Sequence, residues 1–202
     1  MSEFLPYVIS IFVGIGLAAA TGFRVFLPMF AVSLASYFHW IPANESFQWL
    51  ASLPALITTG VATVMEILAY YIPYIDNILD SISIPLATIA GSVLFASQYM
   101  GLDGVSEWAL ALIAGGGTAA TIASGFAGTR VASTATTGGI GNHVVATTET
   151  AGASVMSIFA LALPVLAFIF AIGLVILVIV FGRKIWNKFR KKGPKIEDAD
   201  YV

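Results

Sequence analysis

The sequence predicts an all-α, polytopic membrane helical bundle with short or broken helices, and three observations carry that expectation. Apolar residues make up 58% of the 202 positions and charged residues only 10%, far from the roughly 25% charge of a soluble domain. Mean hydropathy is +0.93. Of the nine basic residues, Arg183, Lys184, Lys188, Arg190, Lys191, Lys192 and Lys195 follow the last apolar run, which leaves only Arg24 and Arg130 in the body of the chain. The length allows roughly five or six spans of about 20 residues each. They form one transmembrane domain, residues 1–182, followed by a tail, residues 183–202, that is first basic and then acidic.

A basic cluster directly after a span is the positive-inside signal, so a cytoplasmic C-terminus in a bacterial inner membrane is expected. The cluster reads as a flank that stops translocation, which makes membrane lipids the expected partners and a nucleic acid not one. Cysteine is absent, so disulfides and thiolate metal sites are excluded; no cofactor is expected. The start, MSEFLPYVIS, carries an acid where a secretory signal would carry its basic region, and it reads as a retained first helix.

Leu5 to Ala20 is apolar for 16 residues, a little short for a full crossing. After Thr21–Arg24 comes a second short run, Val25 to Trp40. Two short helices around an arginine and Pro28 suggest a broken or re-entrant helix, which membranes tolerate where protein or a wet cavity surrounds the backbone. The alternative is two tilted spans joined by an interfacial turn from which Arg24 snorkels. IPANESFQWLASLP mixes aromatic and polar residues and reads as an amphipathic connector at the interface.

Ala55 to Ile72 is a span that contains Glu66 and closes on Tyr70 and Tyr71 at headgroup level. The next span is expected at Leu86 to Met100, with Pro85 in its first turn. Trp108 to Phe126 repeats Gly117, Thr121 and Gly125 at four-residue spacing, so close helix approach and a central place for this helix in the bundle are expected. Residues 127–154 are rich in Thr, Ser, Gly and Ala and read as partly unwound helix lining a cavity. Val155 to Phe181 is a final apolar run interrupted by Pro164, either one kinked helix or a short helix followed by a span.

One echo crosses the chain. GFRV at Gly22–Val25 and GTRV at Gly128–Val131 each hold one of the two body arginines. This suggests an internal duplication with halves 1–100 and 101–182, of the kind that marks binding sites in transporters built from repeats.

The order GLAAATGFRVFLPMF, IPYIDNILDSI and AGTRVASTATTGGIGNHVVATTET resembles the bacterial membrane family called domain of unknown function 4126. The likeness covers nearly the whole chain up to the last span. That family often carries Asn-Pro where this chain has Asn142-His143. The resemblance implies a shared architecture and a bacterial source, and no activity.

Intramembrane ionisable groups cost about 2.5–3.5 kcal/mol each on insertion, which makes them functional candidates. Arg24, Arg130, Glu66 and Glu149 are those candidates, with Asn142 and His143 as neighbouring hydrogen-bonding residues. Two guanidiniums flanking a cavity would bind an anionic small molecule or lipid headgroup bidentately. Alternatively they pair with Glu66 and Glu149 and lock the bundle. Glu66 with Asp76 and Asp80 could hold a hard cation if all three face one another; otherwise the two aspartates cap a helix near the surface. No particular metal is assigned.

Catalysis finds little support. GASVM at Gly152–Met156 is not followed by a histidine base, and the chain lacks HExxH and a phosphate-cradling glycine loop with its lysine. The expected function is therefore a transporter or lipid-translocating protein with an intramembrane anion-binding cavity. A non-catalytic membrane scaffold, alone or as an oligomer, is the alternative, and an intramembrane acid-base enzyme comes third.

Overall fold

The computed structural model describes residues 4–41, 45–72, 75–99 and 104–190, and these residues form an all-helical bundle without strands. The acidic residues of the tail, Glu197, Asp198 and Asp200, and the basic residues Lys191, Lys192 and Lys195 lie outside them. Eight α-helices follow in order: α1 Phe4–Thr21, α2 Phe26–Tyr37, α3 Leu53–Ala69, α4 Ile75–Gln98, α5 Val105–Leu110, α6 Gly117–Thr137, α7 Asn142–Ala162 and α8 Pro164–Arg190. A 3₁₀ segment, Glu45–Ala51, precedes α3, and a π-helical stretch, Ala111–Gly116, joins α5 to α6 in one continuous rod. Among the described residues five helices are long and apolar enough to cross a membrane, and the 3₁₀ segment with α3 forms a further pair bent by 65°.

α1 is the central helix because its second half is built of small residues. Leu17, Ala18, Ala19 and Ala20 are completely buried, and short side chains let α4, α6, α7 and α8 all reach its backbone. Its neighbours reveal directions. Gly14 meets Phe95 while Val25 clusters with Ala87 and Ala90, so α1 and α4 run antiparallel. Val25 and Phe26 meet Glu66, Phe30 meets Gly60, and Ser33 meets Leu50, so α2 and α3 are antiparallel as well. α1 and α2 therefore form a hairpin whose tip, Gly22–Val25, lies inside the bundle. At 12 residues α2 is about 18 Å long, too short to cross, so the broken or re-entrant alternative is the one realised.

α8 runs alongside α1 in the same direction, with Ala167 against Gly16 and Ala171 near Ala20. Its C-terminal end consequently shares a side with the α6–α7 turn, opposite the start of α1. Single cysteines placed at the exposed Ile140 and at Asn187 should react with an impermeant maleimide from one side of a sealed vesicle, and a cysteine at Phe4 only from the other. Matching labelling of all three would refute this arrangement.

Three expectations need correction. Residues 127–154 are not unwound: α6 runs to Thr137, a tight turn follows with Gly138 and Gly139 at φ of 65° and 92°, and α7 starts at Asn142. Within the helices the hydroxyls find partners of their own, Thr129, Thr137 and Thr148 donating to the carbonyls of Gly125, Ser133 and Val144 one turn back. Pro85 does not open a helix but sits inside α4, which already begins at Ile75; Ser83 and Thr88 around it donate to the carbonyls of Asp80 and Ile84. The close face of α6 is not Gly117–Thr121–Gly125. A side chain at Gly117 would meet open space, whereas Gly115, Gly116 and Ala119 press against α4 at Gly91, Ser92 and Thr88, and Gly125 faces α8 instead.

At Leu163 the backbone leaves the helical region (φ −137°, ψ 64°), so the last apolar run is two helices. The two GxRV stretches differ in backbone: Gly22–Val25 is the hairpin tip, while Gly128–Val131 lies within α6.

Candidate buried charge site

The hairpin tip carries Arg24 into the region where α3 ends, α4 begins, α6 nears its end and α7 begins. Arg24 is 1% exposed, Arg130 3% and Glu149 2%, so all three lie in protein rather than in lipid. Arg130 grips Glu149 with both forks: Nε donates to Oε1 at 3.0 Å and Nη2 donates to Oε2. Arg24 Nη2 stands 3.5 Å from that same Oε2. It also donates to the Ala146 carbonyl at 2.9 Å, and Arg24 Nε donates to Thr150 Oγ1 at 3.2 Å. Asp80 completes the group, its Oδ1 being 3.4 Å from Arg130 Nε.

Tyr70 joins the two cations. Both guanidinium carbons lie close to its ring centroid, Arg24 at 3.9 Å and Arg130 at 4.2 Å. A desolvated cation–π contact contributes about 2 kcal/mol, and here the ring faces two. Like charges are thus held near one another by one shared carboxylate, one aspartate and one aromatic face. Two guanidiniums and two carboxylates leave the group formally neutral, which low-dielectric burial demands. Each arginine still keeps its buried Nη1 without a hydrogen-bond partner.

Glu66 does something else. Its Oε1 accepts from the Val25 amide at 2.8 Å and its Oε2 from the Phe26 amide at 3.0 Å. These amides open α2, where the positive end of the helix dipole lies. Glu66 therefore caps the broken helix, and Arg24 finds its carboxylate in Glu149. Replacing Glu66 with alanine leaves two buried donors unpaired and should cost about 1–3 kcal/mol, whereas Glu66→Gln keeps an acceptor and should lose clearly less. Denaturation in detergent measures both; equal losses would mean that charge, not capping, is what Glu66 supplies.

The remaining expected residues are spread around this centre. Asn142 is buried and donates to Thr134 Oγ1 at 3.1 Å, with its Oδ1 lacking a partner. His143 is exposed and lies beside Tyr71, centroids 5.7 Å apart with the rings tilted by 32°; no hydrogen bond or ion pair joins Asn142 or His143 to the arginines among the described residues. Asp76 and Asp80 share α4, but Asp80 is engaged with Arg130 and both Glu66 oxygens with α2. Among the described residues no three acidic or histidine side chains gather closely enough to hold a metal ion.

Sequence reasoning placed Tyr70 at headgroup level, whereas it is buried against the two guanidiniums, and it overlooked Thr150. Tyr70 follows Glu66 by four residues, which puts both on one face of α3, and Thr150 adjoins Glu149; that spacing was the available signal.

Two spaces adjoin the cluster. A void of about 20 Å³, lined by Tyr70, Asp80, Ser83, Arg130 and Glu149 among others, has room for a water molecule. A cleft of about 320 Å³ lies between α3 and α4, beside Glu66 and Tyr70.

A family model described as domain of unknown function (DUF4126) matches residues 11–184. No curated protein and no solved structure matches the chain.

Proposed function

Since this chain belongs to the family described as domain of unknown function (DUF4126), we propose its activity from the site itself: a membrane transporter that binds an anionic group on Arg24 and Arg130. The observation that supports this most is the bidentate grip of Arg130 on Glu149, with Arg24 at the same oxygen. A carboxylate held that way occupies the place an external carboxylate or phosphate would take, because planar forks recognise all such groups alike.

Charge balance then sets the mechanism. A buried cluster cannot accept an extra negative charge without a cost of several kcal/mol. Anion entry therefore displaces Glu149 from the Arg130 fork, with a cation entering alongside so that the group stays neutral. The unpartnered Nη1 atoms supply further donors. Glu66 keeps the hairpin tip in place throughout. In this reading the protein works in a bacterial inner membrane, and the charge asymmetry supports a cytoplasmic side for its basic flank.

A second reading has its own support. The void beside Arg130, at about 20 Å³, has room for one water but not for an anion, which favours the cluster as a structural lock in a scaffold. Thermal unfolding in detergent with added sulfate separates the two. Binding predicts that sulfate stabilises the parent, that Arg24→Lys weakens this response because an ammonium lacks the fork, and that Glu149→Gln strengthens it. Absence of any sulfate effect in all three proteins would leave only the lock.

A further inference from the structure

The cleft between α3 and α4 points to the class of substrate. Its walls are apolar: Ala62 and Met65 on one side, Leu79 and Leu86 on the other. Met65 is 62% exposed, so the cleft opens sideways on the outer surface of the bundle, where α3 and α4 face lipid. Tyr70 and Ser83 line both this cleft and the small void at Arg130 and Glu149. A shared partition of two side chains therefore separates an apolar slot from a charged one that holds Arg130 with Asp80 and Glu149. The acid in the cleft, Glu66, has both oxygens engaged by the amides that open α2, so its charge is largely met by the helix end.

We propose that the substrate is a single-chain anionic amphiphile, its hydrocarbon chain in the α3/α4 cleft and its acidic head on Arg24 and Arg130; this rests on the anion-binding reading above. The volume of about 320 Å³ falls at the lower end of the range of small-molecule pockets. An alkyl chain moving from lipid into this cleft stays in apolar surroundings and gains little. Selectivity then resides in the head, which passes Tyr70 to reach the arginines. A small hydrophilic anion reaches the arginines less readily, since it has no chain to seat in the cleft and its charge leaves water without compensation. The chain of the amphiphile stays outside the charged slot while only its head enters.

The test uses the full-length protein in nanodiscs of zwitterionic lipid, with decyl phosphate, inorganic phosphate and decyltrimethylammonium as probes and thermal unfolding as readout. Decyl phosphate should stabilise the parent at concentrations at least about tenfold below those needed for inorganic phosphate, and decyltrimethylammonium should not stabilise it. Ala62→Phe fills the cleft without touching the arginines; it should abolish the advantage of the alkyl chain and leave the response to inorganic phosphate unchanged. Leu79→Phe repeats this from the opposite wall should the first variant not fold. Equal responses to both phosphates, unaltered by the cleft variants, would overturn the amphiphile while leaving anion binding intact. A response to the cationic amphiphile that matches decyl phosphate would overturn it too. No response to either phosphate would remove the anion-binding reading itself.

Discussion

Glu149→Ala is expected to destabilise the protein by about 3–5 kcal/mol, the loss typical of removing one partner from a buried ion pair. The reason lies in how many groups depend on this carboxylate. It is the acid that Arg24 contacts and the one that Arg130 grips with two hydrogen bonds. Without it, two guanidiniums that are 1% and 3% exposed share the Tyr70 ring with Asp80 beside Arg130 and only the amide-bound Glu66 acting on Arg24. The companion Arg130→Gln should also be severe, and the double variant Arg130→Gln with Glu149→Gln should recover a good part of the loss, because both charges leave together. Reversible unfolding in mixed micelles would measure the cycle. Strictly additive losses would mean that the two side chains do not act as a pair.

Gly115→Ala should cost about 1–3 kcal/mol, the range for overpacking a filled interior. A Cβ there would stand 2.5 Å from the Gly91 carbonyl oxygen and 2.5 Å from Phe95 Cβ. The first of these is backbone of α4 and cannot rotate away, so the helices must part. Gly117→Ala two residues later meets nothing within 4 Å and should be neutral or slightly stabilising, since alanine favours helix over glycine by about 1 kcal/mol. Apparent melting temperatures of the two variants in one detergent give the comparison. A loss at Gly117 as large as at Gly115 would show that a partner covers the face left open here.

That pair of glycines also shows where reading the sequence stops. Helical spans, the hairpin around Arg24 and the candidate charges were legible because burying an ionised group in an apolar run leaves few options. Which carboxylate meets which guanidinium was not. Glu66 and Glu149 are equivalent on composition, and only the antiparallel course of α2 against α3 puts Glu66 on the amides of Val25 and Phe26. The stretch from 127 to 154 misled for a different reason. Its Thr and Ser content is that of a linker, and the bonds from Thr129, Thr137 and Thr148 to carbonyls one turn back depend on a helix already being present. The choice of Gly115 over Gly117 as the contact point likewise follows from helix rotation, which spacing alone leaves undefined.

The π-helical stretch at Ala111–Gly116 has a bearing on how this rod can change over time. In ordinary α-helix each residue added or removed turns everything beyond it by about 100°. A wide turn already contains one residue more than α-geometry needs, so deleting a residue between Ala111 and Ala114 can be absorbed by tightening it. Both flanking helices would keep their phase, with Gly115 on Gly91, Arg130 on Glu149 and Trp108 6.1 Å from the Phe47 ring. The wide turn thus acts as a phase buffer: a residue lost there is insulated from the charged centre, while the same loss between Gly117 and Arg130 would swing Arg130 out of register.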